Sequence, residues 1–537
     1  MERVVAEANV RARQRLGWLV VAAVPVLFAA YLAISRGVGV NSDGASNAIQ
    51  AWDMLHGNVL LSGWTVTDVS FYTNELLLFA LVEAVYGYHA DTTHAVAALV
   101  FTLLVLVVAA AAKGRATGRE AVFRVAVAVA IVAVPALGFA AVTQLSSPDH
   151  TGTAIPLLLT WLVLERAKPG RWVPYAIAAM LAWGQIADPL VMYIGVLPLI
   201  AVGGFRALRG KEWRGLDARL VLAGLGSVLL AQATMYAIRL AGGFGAHAAE
   251  AMLSPVADLG KHLWLGARVL AVNFGAYPPD REGPAGVAMS LLHLVGLLAA
   301  LAAMAVVVSR ALRRRHSERL DELVAAGILV NVGAFVVSAL PTDLLSARQV
   351  VAVLPLGAVL AGRVWGPRLA SSQRTLVPAV VVLALLGAEL AAHATAPSKP
   401  GHAVDVADWL ESRGLRYGVG EYWNANNITV LTGGKVQVAP VVAGERIAAY
   451  RWESKADWYD AGAHDATFLV VDTRNPASRT EAVARAQFGP PVSRHAFDGA
   501  VVLVYDRDLL VGLPAYCVPE MAPSIEECPS HGFPLFG

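Results

Sequence analysis

The placement of basic residues relative to long apolar runs limits most strongly what this chain can fold into. At about 20 residues per membrane-crossing helix, residues 1–393 divide into about eleven apolar segments. They lie near 16–34, 92–112, 121–142, 153–165, 173–187, 189–205, 219–241, 287–309, 323–340, 350–362 and 376–393. The loops between them alternate. One set is crowded with basic residues: Arg3, Arg11, Arg13 and Arg15; Lys113, Arg115 and Arg119; Arg166, Lys168 and Arg171; Arg206, Arg209, Lys211 and Arg214; Arg310, Arg313, Arg314 and Arg315; Arg363, Arg368 and Arg374. The other set holds only Arg36, Lys261, Arg268, Arg281 and Arg348. The positive-inside rule puts the crowded set on the cytoplasmic face. The N-terminus is then cytoplasmic, and everything from residue 394 onward lies outside.

At 57% hydrophobic and 15% charged residues, with a mean hydropathy of +0.56, the composition excludes a soluble globular protein. The net charge of +2 averages a basic inner face and a more acidic outer one, so it gives no reason to expect a nucleic-acid partner. The run Leu16–Ile34 lacks a small-residue cleavage site and reads as a first helix, not a removable signal. Phe71–Tyr88 is apolar but carries Asn74, Glu75 and Glu83. Counting it as a span would put the Lys113–Arg119 loop outside and invert every later loop. It is therefore expected to lie at the outer surface.

The expected architecture is mainly α: a polytopic helical membrane domain over 1–393 and a small extracytoplasmic α/β domain over 394–537. Long outer loops are expected at 35–91 and 242–286. In the tail, the patterns predict helices near 404–413 and 480–487, with strands near 417–420, 429–430, 436–440, 467–472 and 501–505. The only cysteines, Cys517 and Cys528, would lie in an oxidising compartment, where a disulfide is the expected state and two unpaired thiols the alternative.

Acidic residues on the outer face attract attention first. Asp43, in Asn41-Ser42-Asp43-Gly44 just after the first span, could accept a proton from an acceptor hydroxyl; alternatively it caps the helix expected from Ala45. Asp149-His150 offers ligands for Mg²⁺ or Mn²⁺, or Asp149 caps the next helix. Arg348 and Arg239, near outer ends of spans, suit a lipid phosphate or simply snorkel. Lys261 and His262 are further phosphate candidates in an amphipathic stretch. Asp188-Pro189 reads as a helix breaker at an outer turn. Tyr422-Trp423 and Trp458-Tyr459-Asp460 mix aromatics with polar groups, which fits sugar stacking or packing of a small domain.

This arrangement resembles the GT-C superfamily of integral-membrane glycosyltransferases, which take sugars from polyprenyl-phosphate donors. The likeness rests on the many spans, the long first outer loop with surface-lying helices and the C-terminal outer domain. It implies that Asp43, at the first-loop position, is a catalytic base or metal-linked acid, and that Asp149 is the acid of the next outer loop, often linked to a metal. It further implies a lipid-linked sugar donor, an inverting reaction at the bacterial plasma membrane and contact with membrane lipids. The family commonly has a second acid beside the first; here Asp43 stands between Ser42 and Gly44. A non-catalytic scaffold on the same architecture is therefore one alternative reading. A transporter is another, weakened by the lack of an inverted repeat and of paired broken helices. The Tyr422–Asp460 segment also resembles uncharacterised actinobacterial membrane proteins of this type.

Overall fold

The computed structural model describes residues 22–146, 150–168, 170–246, 252–278, 283–397, 403–475 and 478–514. Asp149, Cys517 and Cys528 lie outside these residues. Among those described, six helices are long and apolar enough to cross a membrane: Asp91–Lys113, Met192–Gly210, Leu216–Leu240, Gly283–Leu312, Arg319–Val337 and Gln373–Ala394. The pair Leu344–Val350 and Val353–Ala370, bent by 56°, makes a seventh if it counts as one broken span. Other segments read as spans form shorter helices: Gly118–Val132, Ala154–Arg166 and Val173–Ala187. At 1.5 Å per residue these reach only about 20 Å, against about 30 Å of hydrocarbon. Sequence hydropathy registers an apolar run but not where the helix within it stops.

The basic loops meet at one end of the bundle. Arg206 pairs with Glu322 at 2.8 Å, and Arg319 with Asp217 at 2.8 Å. Arg363, almost fully buried, reaches Glu165 at 2.8 Å and Asp321 at 2.5 Å and also pairs with Glu318. A guanidinium buried this deeply needs several partners to offset its desolvation, and these acids come from two separate chain segments, one at Glu165 and one at Glu318 and Asp321. The alternation inferred from charge therefore matches loops that share one end.

At the other end, a three-stranded sheet joins distant segments. Trp64–Val66 pairs in parallel with Gly245–Ala246 and antiparallel with Ser454–Lys455. Arg451 reinforces the joint by donating to the Gly63 carbonyl at 2.9 Å and Thr65 Oγ1 at 3.0 Å. Trp64 stacks edge-on against Trp458, centroids 5.1 Å apart, and donates to Asp53 at 2.7 Å. One continuous apolar core contains Ala45, Ile49, Leu61, Phe71 and Phe79 of the first outer loop together with Val419, Val430, Val441 and Leu469 of the tail.

The helix Glu75–Tyr86 has 12 residues, too few to cross. It turns Glu75, Leu76, Phe79 and Glu83 inward and exposes Leu77, Leu81 and Val85 at four-residue spacing. Such an outward apolar stripe beside the bundle suits a helix lying in the membrane surface.

The tail folds around a six-stranded mixed sheet. Tyr417–Glu421 at its centre pairs in parallel with Gln437–Ala443 on one side and Phe468–Asp472 on the other. Ala500–Val504 continues the sheet antiparallel, and Ile447–Ala449 and Ser493–Phe497 form its edges. The inner strands Phe468–Asp472 and Ala500–Val504 read as apolar runs because both faces are covered. The edge strand Ser493–Phe497 alternates in burial and lacks the run that would have marked it. One sequence expectation fails: residues 429–430 are not a strand but the end of a helix, Tyr422–Leu431. Ile428, Thr429 and Val430 suggest β structure on propensity, yet the segment packs between the sheet and the Ser42–Leu55 helix, and tertiary context overrides the propensity.

Candidate active site

Asp43 sits in the first turn of the Ser42–Leu55 helix. It does not cap that helix: Asn41 does, its Oδ1 accepting from the Gly44 amide at 2.8 Å. The side chain of Asp43 is therefore not committed to the cap, and the positive end of the helix favours its charged form. Gly44 lets this turn lie close to the next helix, since a Cβ there would stand 2.7 Å from Thr93 Cγ2.

The tail brings its own helix to the same point. Tyr422 opens the Tyr422–Leu431 helix directly after the central strand, at the carboxyl end of a βα unit where α/β folds commonly place ligands. Ser42 Oγ donates to the Tyr422 carbonyl at 2.5 Å, locking the two helix starts together. The buried Tyr422 hydroxyl contacts Asp43 Oδ1 and lies 2.8 Å from Glu453 Oε2. Burial, with the two nearby acids, pushes the phenol well above its ordinary range, so it remains protonated.

These groups line a cavity of about 430 Å³. Its walls combine residues far apart in the chain: Asp43, Asp68 and Phe71 from the first outer loop, His150, Arg348, and Tyr422, Trp423, Tyr450, Trp452 and Glu453 from the tail. His150 is buried and its Nδ1 lies 2.7 Å from Asp188 Oδ2. Asp188, fully buried at the end of the Val173–Ala187 helix, also accepts from Thr153 Oγ1 and from the Leu190 amide at 2.8 Å. Burial opposes its charge, but His150, Thr153 and the Leu190 amide prevail and hold the carboxyl below its ordinary value. An ionised carboxylate only accepts, so Nδ1 of His150 carries a proton toward Asp188. Asp68 is pushed above its ordinary value by burial, an effect His150 and Arg348 partly offset and Asp188 adds to.

Among the described residues, six non-glycine residues have a left-handed backbone, and three of them, Phe71, His150 and Glu453, line this cavity. Such conformations cost about 1–3 kcal/mol each and gather at functional sites.

Of the residues singled out from sequence, the cavity unites Asp43, His150, Arg348, Tyr422 and Trp423. It does not include Arg239, Lys261 or His262. Arg239 is exposed near the end of the Leu216–Leu240 helix. Lys261 is exposed, while His262 turns inward against the Val336 carbonyl at 3.1 Å, a packing role. Sequence reading gave no role to Asp68 or Glu453 and took Asp188 only as a helix breaker. The one signal for Glu453 was its place in Tyr450-Arg-Trp-Glu453, an acid among aromatics. As for a divalent ion, among the described residues no three His, Cys, Asp or Glu side chains stand together to hold one, and His150 already gives one ring nitrogen to Asp188.

A larger cavity of about 660 Å³ opens elsewhere, among the Gly118–Val132, Gly283–Leu312, Val353–Ala370 and Leu376–Ala394 helices. Its lining is almost wholly apolar, so it suits lipid chains, not chemistry.

No sequence-family model matches the chain, and no curated protein matches it by sequence. Its fold does match solved structures. ArnT from Cupriavidus metallidurans in the apo state aligns with a TM-score of 0.53 at 14% identity, over 91% of this chain and 98% of that one. The same protein bound to undecaprenyl phosphate aligns with a TM-score of 0.51 at 14% identity, over the same shares. An oligosaccharyltransferase from Archaeoglobus fulgidus, in complex with Zn and sulfate, aligns at 0.47 and 12% identity, over 85% and 69%. The chain thus has an ArnT-like fold.

Proposed function

We propose that this chain is a glycosyltransferase that moves a sugar from a polyprenyl-phosphate-linked donor to a hydroxyl of an outer-face acceptor, with inversion. The observation that carries this reading is the single cavity that gathers Asp43, His150, Arg348, Tyr422 and Trp423. ArnT, whose fold the chain shares, was crystallised with undecaprenyl phosphate, which supports a lipid-phosphate donor here.

In this mechanism Asp43 takes the proton of the acceptor hydroxyl as its oxygen attacks the anomeric carbon. The bond from that carbon to the phosphate oxygen breaks on the opposite face, as in single-displacement glycoside chemistry. Arg348 stabilises the charge that grows on the departing phosphate. His150, oriented by Asp188, positions a sugar hydroxyl through its Nε2. Trp423, half exposed, and the stacked pair Tyr450 and Trp452, with near-parallel rings at 6.1 Å, offer flat faces to a carbohydrate acceptor. A Mg²⁺ or Mn²⁺ ion here would be held by Asp149 and His150 and would supply positive charge to the departing phosphate. The bundle end bearing Arg363 faces the cytoplasm, and residues 394–537 form an extracytoplasmic domain at the bacterial plasma membrane.

The test is direct: purified protein in vesicles is offered polyprenyl-phosphate-linked sugars with glycan and glycolipid acceptors. Transfer of label from one of them is expected. Wild-type protein that neither binds nor turns over any such lipid would end this reading.

A further inference from the structure

The Tyr422 hydroxyl stands within hydrogen-bond distance of two carboxyl groups, Asp43 Oδ1 and Glu453 Oε2. A phenol has one proton and can donate to one acceptor at a time. The second contact is favourable only when the other carboxyl brings a proton of its own and donates to the phenol oxygen. The three groups therefore hold two protons and one negative charge. Asp43 belongs to the first outer loop, whereas Tyr422 and Glu453 belong to the tail. Glu453 is held at this point at some cost. It is 1% exposed, its backbone is left-handed at φ 46°, its carbonyl accepts from Asn426 Nδ2 at 3.2 Å, and the next residue is paired into the joining sheet with Thr65.

We propose that Glu453 shares one proton with Asp43 through the Tyr422 hydroxyl and carries away the proton that Asp43 takes from the acceptor. This rests on the glycosyltransferase reading for its last part only. In the resting state Asp43 is ionised, Tyr422 donates to it, and the Glu453 carboxylic acid donates to Tyr422. When the acceptor O–H bond breaks, its proton binds Asp43 at the oxygen not facing Tyr422; Glu453 then gives its own proton to solvent water entering the cavity it lines, and the Asp43 carboxyl turns so that its protonated oxygen faces the phenol. Tyr422 turns its proton to Glu453. Next, the Asp43 proton moves to the phenol oxygen as the phenol proton moves to Glu453, which restores the resting state. One proton enters at Asp43 and one leaves from Glu453, and the chain of groups is otherwise unchanged. Asp68, His150, Arg348, Glu421 and Tyr450 are the other charged or titratable groups on the cavity wall; the phenol contacts that define the relay are with Asp43 and Glu453.

Glu453 acts through Tyr422 and is a positioning and relay residue, so its test needs a readout that a purely structural role would not move. Infrared difference spectra at neutral pH, in H₂O and D₂O, compare wild type with Glu453→Gln, Tyr422→Phe and Asp43→Asn. The glutamine keeps an N–H for the phenol oxygen and should leave the fold intact. The expected result is a protonated-carboxyl band in wild type that is lost in Glu453→Gln and Asp43→Asn and is shifted in Tyr422→Phe, where the carboxyl loses its hydrogen-bond partner. Glu83, which burial pushes up to about 9, gives a similar band in every sample and cancels. A wild type with no band that Glu453→Gln removes, or a band that stays unshifted in Tyr422→Phe, would overturn the shared proton. In transfer assays Glu453→Gln should lower turnover about 10²-fold, the lower end for proton-transfer groups, with donor KM unchanged; unchanged turnover would overturn the relay. If wild type transfers no sugar, the glycosyltransferase reading fails while the infrared arm still decides the shared proton.

Discussion

Asp188→Asn is the substitution whose effect can be worked out most fully from the structure. The asparagine oxygen can still accept from the Leu190 amide, which lies 2.8 Å from Oδ1. The other oxygen becomes an NH₂ group, and it faces two groups that had donated to it, Thr153 Oγ1 and His150 Nδ1. Hydrogen bonds to a charged group are worth about 1.5–3 kcal/mol each, so losing two would cost about 3–6 kcal/mol if neither partner adjusted. Both can adjust: Thr153 rotates, and His150 keeps a proton on Nε2 only, so that Nδ1 accepts. That adjustment recovers part of the stability but changes the tautomer or charge that His150 presents to the cavity. Asp188→Asn should therefore lower thermal stability measurably and reduce transfer about 10²-fold. A cycle with His150→Gln separates the two paths: if Asp188 acts through His150, the double variant transfers no worse than either single one, and the stability losses fall short of additivity by about 1.5–3 kcal/mol. Purified protein in nanodiscs, followed by thermal unfolding and by transfer, provides both numbers. Additive losses, or an Asp188→Asn protein with wild-type transfer, would refute the orienting role.

The pH dependence of stability should show the same group. The folded-state carboxyl of Asp188 lies below its ordinary value of 3.8, so its contribution is complete above that value and is lost only as pH falls through the lower folded value; Asp188→Asn should remove this acid-sensitive part. Arg348→Ala should raise donor KM and lower kcat together, with Arg348→Lys recovering only part, since a lysine cannot bind phosphate bidentately; equal activity of all three proteins would exclude a donor role. Glu389→Ala should destabilise the bundle by about 3–5 kcal/mol, the cost of breaking a buried pair. The reason is that Leu386 and Glu389 are the buried residues of the Leu376–Ala394 helix and Glu389 holds His293 at 2.9 Å; an unchanged unfolding temperature would show that this pair does not anchor the helix.

The bundle was legible in the sequence because apolar runs and arginine-rich loops report transfer free energies that do not depend on neighbours. The crossing count was less so, because helices such as Ala154–Arg166 end for reasons of packing within runs that remain apolar. In the tail, Phe468–Asp472 and Ala500–Val504 declare themselves, whereas the helix at Tyr422–Leu431 is fixed by what packs on both of its sides. At the site, Asp43 stands out in the sequence, but only the structure shows that Asn41 performs the capping that is the other reading of Asp43. Lys261 and His262 look alike as phosphate ligands in sequence, and helix phase alone sends one outward and the other onto the Val336 carbonyl. Asp188 and Glu453 carry no local mark of their partners, His150 and Tyr422, which lie far from them along the chain or across a turn of unusual backbone.

Sugar transfer by wild type and by Asp43→Asn, measured beside donor binding by the same two preparations, tests the central claim most directly. The asparagine keeps the size of the side chain and an oxygen that can still accept from Tyr422, but it cannot take a proton. Binding of the polyprenyl-phosphate sugar should persist while transfer falls by about 10²–10⁴, the range for loss of a general base. An Asp43→Asn protein that binds the donor and transfers sugar at the wild-type rate would contradict the account.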